Sequence, residues 1–225
     1  MPARAAARLV DAVLFDLDGT LVDSLQTIAE AMSTALHEFG YEIDVQRLVP
    51  LIGPPMDLLA HELGAPLDVA ARINREYLRL YHHGYIQRTP EHPGAGALLE
   101  RLAAAGIAMG VVTNKVEEGA RLVLDVRGWS SRFGVVVGRD TPGAAAKPAP
   151  EAAWYALRVL GVPPERAAFV GDTEFDVRCA RAAGLRHVIA LAGNRDEALL
   201  RAEGATHVVR SLDEAGAMLD VEVRS

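Results

Sequence analysis

The stretch VLFDLDGTL, residues 13–21, places two carboxylates one residue apart at the end of an apolar run. Asp16 interrupts that run, and an unpaired charge on a buried strand is unfavourable, so we expect a cation or another charged group beside it. Asp18 and Gly19 taken alone are a common turn pair, and a plain turn is the alternative reading. An apolar strand that is followed directly by acidic residues and then by Gly-Thr nevertheless indicates a functional site.

The rest of the chain predicts an α/β fold with a helical insertion. Ser24 is placed to cap a helix that runs to about Phe39. From there to about residue 88 the pattern stays helical, without the alternation or β-branched density of a strand. After TPEHPG, residues 89–94, short apolar strands alternate with helices, as in a parallel sheet wound on both faces. The predicted strands are residues 9–20, Ala108 to Thr113, Gly134 to Val137, Ala167 to Val170, His187 to Ala190 and Thr206 to Val209.

This pattern predicts a Rossmann-like parallel sheet core, residues 1–24 and 89–225, with an inserted α-helical cap domain, residues 25–88. The cap should lie over the carboxyl ends of the strands, where open α/β sheets bind ligands. Polar residues follow two further strands at that edge, beginning at Thr113 and at Asp172. Each group alone is explained by helix capping, but together they indicate one shared site.

Composition and charge exclude several classes of function. With 225 residues, half of them hydrophobic, the chain can form one domain plus an insertion. Its net charge of -7 argues against a nucleic acid or an anionic membrane as partner. No segment approaches the roughly 18 apolar residues that span a bilayer. The apolar segment near the N-terminus is too short for a signal-peptide core. Cys179 is the single cysteine, so no intramolecular disulfide can form, and we interpret it as a small apolar residue of the core. We therefore expect a cytoplasmic protein.

Lys147 lies in AKPAP, residues 146–150, between the two polar clusters in sequence. A solvated lysine in a proline-stiffened loop is the simpler reading of this segment taken alone. Two prolines also limit the freedom of the loop and could hold the ammonium beside the acidic edge of the sheet. The carboxylates predicted at this edge would stabilise the ammonium of Lys147.

In order and spacing these motifs resemble those of the haloacid dehalogenase superfamily, specifically its phosphatases with a helical cap after the first motif. DLDGT, residues 16–20, is similar to the first motif, Thr113 to the second, Lys147 to the third, and residues 171–176 to the fourth. The resemblance covers nearly the whole chain, including the insertion. It is nearest to the phosphoglycolate phosphatases, but enzymes that cleave pyrophosphate, nucleotides or sugar phosphates carry nearly the same motifs.

The resemblance implies a mechanism with defined roles. Asp16 is implied as the nucleophile that forms an aspartyl-phosphate, and Asp18 as the general acid and base. Mg²⁺ is the implied cofactor, bound by the side chains of Asp16 and Asp172 and by the backbone carbonyl of Asp18. Asp176 is implied to hold the metal site from behind these ligands.

Phosphate and substrate contacts are implied by the same resemblance. The phosphoryl oxygens are expected to contact Thr113, Lys147, Asn114 and, in the turn after Asp16, Gly19 and Thr20. In similar proteins the segment matching residues 51–55 projects from the cap toward the phosphate. An interhelical turn without substrate contact is an equal alternative for this segment, which includes Ile52 and Gly53.

The expected reaction is hydrolysis of a small phosphorylated metabolite. Asp18 argues against dehalogenation and phosphonate hydrolysis, because those enzymes lack a carboxylic acid at the matching position. Sugar-phosphate mutases keep the second Asp but usually replace the residue matching Thr20. A receiver domain that signals through a phosphorylated Asp is the alternative from another class. In those domains the acceptor lies on a later strand than the acidic pair, whereas here both carboxylates share one strand.

Overall fold

A computed structural model describes residues 9–54 and 56–221 of the chain. The strands of this part are β1 (Ala12–Phe15), β2 (Ala108–Val112), β3 (Val135–Val137), β4 (Ala167–Gly171), β5 (His187–Leu191) and β6 (His207–Val209). They form one parallel sheet in the order β3-β2-β1-β4-β5-β6. Every predicted strand is present, and the prediction of a Rossmann-like α/β core is confirmed. The first strand is shorter than predicted at both ends, since it begins at Ala12 and the turn of the first motif follows soon after Phe15.

The sheet is covered on both faces, as the sequence pattern predicted. The α-helices are α1 (Leu25–Glu38), α2 (Val45–Leu48), α3 (Met56–Glu62), α4 (Leu67–Leu80), α5 (Ala95–Ala104), α6 (Glu117–Val126), α7 (Glu151–Leu160), α8 (Glu174–Ala182), α9 (Glu197–Ala202) and α10 (Leu212–Val221). Side chains alternate along β1, so Val13 and Phe15 pack with the insertion and α5, while Ala12 and Leu14 pack with α7 and α8. All four residues are buried, as a central parallel strand requires.

The parallel register aligns the carboxyl ends of the three central strands. Phe15, the last residue of β1, pairs with Val111 of β2 and with Val170 of β4. The residues that follow these strands, which include Asp16, Thr113 and Asp172, therefore emerge at one edge of the sheet. The sheet itself brings together the motif residues that lie far apart in sequence.

The described residues between 25 and 88 are helical and contain no strand, as predicted. Besides α1 to α4 they form the short helical turns Val49–Leu51, Tyr81–Tyr85 and Ile86–Arg88. The chain enters and leaves this insertion side by side, since His92 N–H donates to the Leu21 carbonyl at 2.9 Å. The division into core and cap at residues 25 and 88 stays a prediction. No helix within 9–54 and 56–221 is long and apolar enough to cross a membrane.

The predicted cap of the first helix requires a correction. The helix begins at Leu25, so Ser24 is at the expected position, but its side chain makes no capping bond. Ser24 has helical backbone angles, whereas a capping residue usually has an extended backbone. Its hydroxyl instead donates to Asp18 Oδ1 at 2.7 Å. The residue predicted to start a helix is thus a partner of a predicted site residue.

Candidate active site

Asp16 and Lys147 form an ion pair at the carboxyl end of β1. Lys147 Nζ lies 2.8 Å from Asp16 Oδ1 and 2.6 Å from Asp176 Oδ1, and all three side chains are buried. Asn114 fixes the lysine's backbone, because its Oδ1 accepts from Lys147 N–H at 2.8 Å and its Nδ2 donates to the Lys147 carbonyl at 3.2 Å. Lys147 is therefore the cation that the buried Asp16 was predicted to need.

Asp172 follows β4 and is held by donors from two other segments. Thr20 Oγ1 donates to Asp172 Oδ1 at 2.9 Å, and Asn194 Nδ2 donates to Oδ2 at 3.3 Å. Gly19 makes this approach possible, since a Cβ atom there would lie 2.5 Å from Asp172 Oδ2. Its φ of +83° also favours glycine. The first motif is thus shaped to receive the Asp172 carboxylate.

Asp176 acts on the site through Lys147. It lies in the first turn of α8, where its Oδ2 accepts from Thr173 N–H at 2.9 Å and from Thr173 Oγ1 at 2.6 Å in a capping box. Its Oδ1 accepts from Lys147. With both oxygens occupied, Asp176 anchors Lys147, and its role behind the metal ligands stays a prediction.

The carboxylates of Asp16, Asp172 and Asp176 form a buried cluster in which one oxygen from each lies within 4.8 Å of the other two. Lys147 provides one positive charge against three carboxylates. Burial first, and the neighbouring Asp176 carboxylate second, raise the pKa of Asp16 to about 7 and that of Asp172 to about 8 from 3.8. Asp16 Oδ1 accepts no hydrogen bond from the described residues despite its contact with Lys147. A cluster of carboxylate oxygens with a single lysine fits a divalent cation, which would favour the ionised form of each carboxylate.

Asp18 is held apart from this cluster by two donors. Ser24 Oγ donates to its Oδ1 at 2.7 Å, and Lys115 Nζ donates to its Oδ2 at 2.9 Å. Lys115 is buried, and its ammonium lies 4.4 Å from the centroid of the Tyr81 ring. The two carboxylates of the first motif therefore face different cations, Lys147 for Asp16 and Lys115 for Asp18.

A cavity of about 70 Å³ lies where the sheet edge meets the helical insertion. The predicted site residues that line it are Asp16, Asp18, Ile52, Gly53, Thr113, Asn114, Lys147 and Asp172. Gly19, Thr20 and Asp176 are not among the lining residues, and the Thr20 hydroxyl is committed to Asp172. Pro55, within the predicted cap segment 51–55, lies outside the described residues. The contact of Ile52 and Gly53 with the cavity supports a projecting loop over a mere turn.

Sequence reasoning missed several residues around this cavity. Lys115 and Asn194 contact site carboxylates, and both follow a strand within a few residues, which is the signal that could have revealed them. Arg195 donates from Nη2 to the Ile52 carbonyl at 3.0 Å and holds the cap loop against the core. Asn74 and Tyr77 of α4 line the cavity from the insertion. Nothing local distinguishes these two from ordinary helix residues.

Comparison with known proteins agrees with this geometry. Residues 13–190 match the family described as haloacid dehalogenase-like hydrolase. The chain belongs to this family. It is 38% identical to a phosphoglycolate phosphatase of Xanthomonas campestris, over 84% of this chain and 86% of that protein. Identity to the phosphoglycolate phosphatase of Aquifex aeolicus is 34%, over 80% and 84% of the two chains.

A solved structure supports the same fold. A predicted phosphatase from Clostridium acetobutylicum superposes with a TM-score of 0.86 at 26% identity, covering 95% of this chain and 99% of that one. The resemblance predicted from the motifs is therefore confirmed for both family and fold. The roles of the individual residues remain predictions.

Proposed function

We propose that this haloacid dehalogenase-like hydrolase is a Mg²⁺-dependent phosphatase that hydrolyses a small phosphomonoester through an aspartyl-phosphate on Asp16. The observation that carries this proposal is the placement of Asp16 in a cavity that Lys147, Thr113 and Asp172 also line. These residues provide a nucleophile, donors for phosphoryl oxygens and a cation-binding carboxylate. The names of the curated relatives agree with a phosphatase.

The first chemical step transfers the phosphoryl group to the enzyme. A carboxylate oxygen of Asp16 forms a bond to phosphorus while the bond from phosphorus to the ester oxygen breaks. Asp18, in its protonated form, gives its proton to that oxygen, and the alcohol leaves. In this structure the two oxygens of Asp18 accept from Ser24 and from Lys115.

The second step returns the enzyme to its starting state. Asp18, now a carboxylate, accepts a proton from a water molecule whose oxygen attacks phosphorus. The bond between phosphorus and Asp16 breaks, inorganic phosphate leaves, and Asp18 is protonated again. One residue thus serves both steps, first as the acid and then as the base.

Fixed donors stabilise the charge that spreads over the phosphoryl oxygens. Thr113 Oγ1 accepts from Lys115 N–H at 3.2 Å, which leaves its hydroxyl proton for a phosphoryl oxygen. Lys147 is held in place by Asn114 and Asp176, so its ammonium needs no reorganisation. Asp16 and Asp172 would bind the divalent cation, which when bound neutralises the repulsion between the nucleophile and a phosphate dianion.

A turnover assay tests the proposed function. With Mg²⁺ and p-nitrophenyl phosphate, we expect the protein to release many equivalents of phosphate, and we expect EDTA to stop this release. A signalling domain would release no more than one equivalent, so a stoichiometric burst without turnover would contradict the proposal. Specificity constants for a series of phosphomonoesters and pyrophosphate then rank the substrate classes that the motifs leave open, including nucleotides and sugar phosphates.

Cation binding should stabilise the protein more at high pH than at low pH. Because the pKa values of Asp16 and Asp172 are raised, the folded state retains protons that the unfolded state has already lost above pH 3.8. Without a cation, the contribution of these groups to stability therefore falls as pH rises from about 4 through about 8. Thermal unfolding at about pH 5.5 and about pH 8.5 should show a larger Mg²⁺-dependent rise in Tm at the higher pH.

The variant Asp172→Asn provides the control for this measurement. It removes a predicted ligand, so we expect most of the Mg²⁺-dependent rise in Tm to disappear. The exposed Asp23→Asn should retain the full effect. An equal rise at both pH values, or an undiminished rise in Asp172→Asn, would contradict cation binding at this cluster.

A further inference from the structure

Asn74 and Tyr77 bring polar side chains to the cavity from the helical insertion. They lie three residues apart on α4, so both are on the same face of the helix, and both line the cavity. The other described lining residues of the insertion, among them Ile28, Ile52 and Leu78, have no nitrogen or oxygen atom in their side chains. The side-chain hydrogen-bonding capacity of this wall is therefore concentrated on one face of α4.

Neither side chain forms a hydrogen bond with another residue within 9–54 and 56–221. Tyr77 is 4% exposed, and its ring packs against the Tyr81 ring with the two centroids 5.7 Å apart. The Tyr81 hydroxyl, by contrast, lies 3.2 Å from Thr89 Oγ1. Asn74 is half-buried. Because the hydroxyl of a buried tyrosine usually has a partner, an oxygen of a molecule in the cavity accounts for the position of the Tyr77 hydroxyl.

The proposed chemistry directs the leaving group toward this face of α4. The attacking and leaving oxygens are roughly in line at phosphorus, so the leaving group lies on the side of the phosphoryl group away from Asp16. On the insertion side, the Tyr81 ring contacts both the Tyr77 ring and the Lys115 ammonium, whose distance to the ring centroid is 4.4 Å. That ammonium donates to Asp18. Tyr77 is thus close to the residue that is proposed to meet the leaving oxygen.

Unpaired polar groups in the cavity discriminate between leaving groups. A leaving group that carries only carbon displaces water from the Tyr77 hydroxyl and the Asn74 amide and offers no hydrogen bond in return. A leaving group with a second oxygen can accept from both side chains. An ordinary neutral hydrogen bond contributes about 5-fold to an equilibrium or rate constant, so two of them contribute about 20-fold. A cavity of about 70 Å³ restricts the group to a few atoms.

We propose that Asn74 and Tyr77 are specificity-determining residues that hydrogen-bond an oxygen of the leaving group, so that phosphate esters of short alcohols with a second oxygen are favoured over esters of alcohols that carry only carbon. This inference rests on the proposed phosphatase activity and assigns the part of the site that recognises the alcohol. The recognition depends on hydrogen bonding, so an uncharged hydroxyl is sufficient.

The test compares 2-hydroxyethyl phosphate with propyl phosphate. The two esters are nearly equal in size and differ in a terminal hydroxyl against a methyl group, and neither carries a carboxylate. For the wild type we expect kcat/KM to favour the hydroxyethyl ester by at least about 20-fold, equivalent to about 1.8 kcal/mol. We expect this ratio to fall to about 5-fold in Tyr77→Phe and in Asn74→Leu, and below about 2-fold in the double variant. The loss should be confined mainly to the hydroxyethyl ester.

The substitutions are chosen to keep the packing of the insertion. Tyr77→Phe retains the ring that contacts Tyr81, and Asn74→Leu retains the approximate volume of the amide. Tyr85→Phe is the matched control, because it removes a tyrosine hydroxyl from the same insertion. That hydroxyl lies 3.1 Å from Thr34 Oγ1, and Tyr85 is not among the residues that line the cavity. The preference of the wild type should persist in Tyr85→Phe.

Several results would overturn this proposal. Equal kcat/KM values for the two esters in the wild type would do so whether or not the variants fold. A wild type that turns over p-nitrophenyl phosphate but not 2-hydroxyethyl phosphate would also refute it and leave the proposed function standing. A preference that persists in the double variant would assign the hydroxyl to another residue, and equal losses on both esters would reduce the two side chains to packing. Absence of turnover with p-nitrophenyl phosphate would contradict the proposed function and, with it, this inference.

Discussion

Asp16→Asn is expected to lose phosphatase turnover by at least about 10⁴-fold and to form no covalent phosphoenzyme. The amide lacks the charged oxygen that attacks phosphorus, and no other described carboxylate in the cavity can replace it. Asp18 is held by Ser24 and Lys115, and Asp172 by Thr20 and Asn194. Steady-state phosphate release gives the loss of turnover, and mass spectrometry of acid-quenched protein detects the phosphoryl adduct.

The loss in Asp16→Asn should not come from unfolding. The substitution removes one of three clustered buried carboxylates, of which Lys147 pairs with two, so the cation-free variant should melt at or above the temperature of the wild type near neutral pH. Asp23→Asn makes the same chemical change at an exposed position of the same segment and should retain wild-type turnover. Normal turnover or a trapped phosphoenzyme in Asp16→Asn would remove Asp16 from the mechanism.

Asp18→Asn is expected to separate the two chemical steps. Steady-state turnover should fall by at least about 100-fold, because the amide can neither protonate the leaving group nor take a proton from water. With an aryl phosphate the leaving group needs little protonation, so Asp16 should still become phosphorylated, slowly. The aspartyl-phosphate then accumulates, since its hydrolysis lacks a base. Rapid quenching followed by mass spectrometry should find this intermediate.

The contrast between the two variants makes the assignment of roles testable. Asp16→Asn should show neither intermediate nor turnover, whereas Asp18→Asn should show the intermediate with little turnover. The Asp18→Asn variant can still accept from Ser24 but loses the negative charge that faces Lys115, so its melting temperature is measured alongside. A steady-state rate in folded Asp18→Asn equal to that of the wild type would refute the acid and base role.

Local patterns were sufficient to predict the elements of the core. Strands β2 to β6 begin and end within about two residues of their predicted bounds, because each is a short apolar run between turn residues. The insertion was predicted as helical because no segment in it has the alternation or the β-branched density of a strand. The motif residues stood out because acid or hydroxyl side chains follow apolar strands, and a parallel sheet places such positions along one edge.

Partners of the site residues were beyond the reach of sequence patterns. Lys115 is 97 positions from Asp18, and Thr20 is 152 positions from Asp172. Ser24 was predicted as a helix cap because serine is common at that position. The local sequence does not indicate that the hydroxyl of Ser24 lies within hydrogen-bond distance of the Asp18 carboxylate. Such contacts depend on how loops from different strands meet, which only the folded chain specifies.

Local sequence patterns alone were enough to predict the strands, the helical insertion and the residues suited to phosphoryl transfer. Each of these features is determined by residues that are close to one another along the chain. Tertiary structure decided which charge faces which: Lys147 pairs with Asp16 inside the carboxylate cluster, and Lys115 pairs with Asp18 outside it. The sheet register and the packing of the insertion determine which lysine lies beside which carboxylate. The pairing matters because a buried charge is stabilised mainly by its immediate partner.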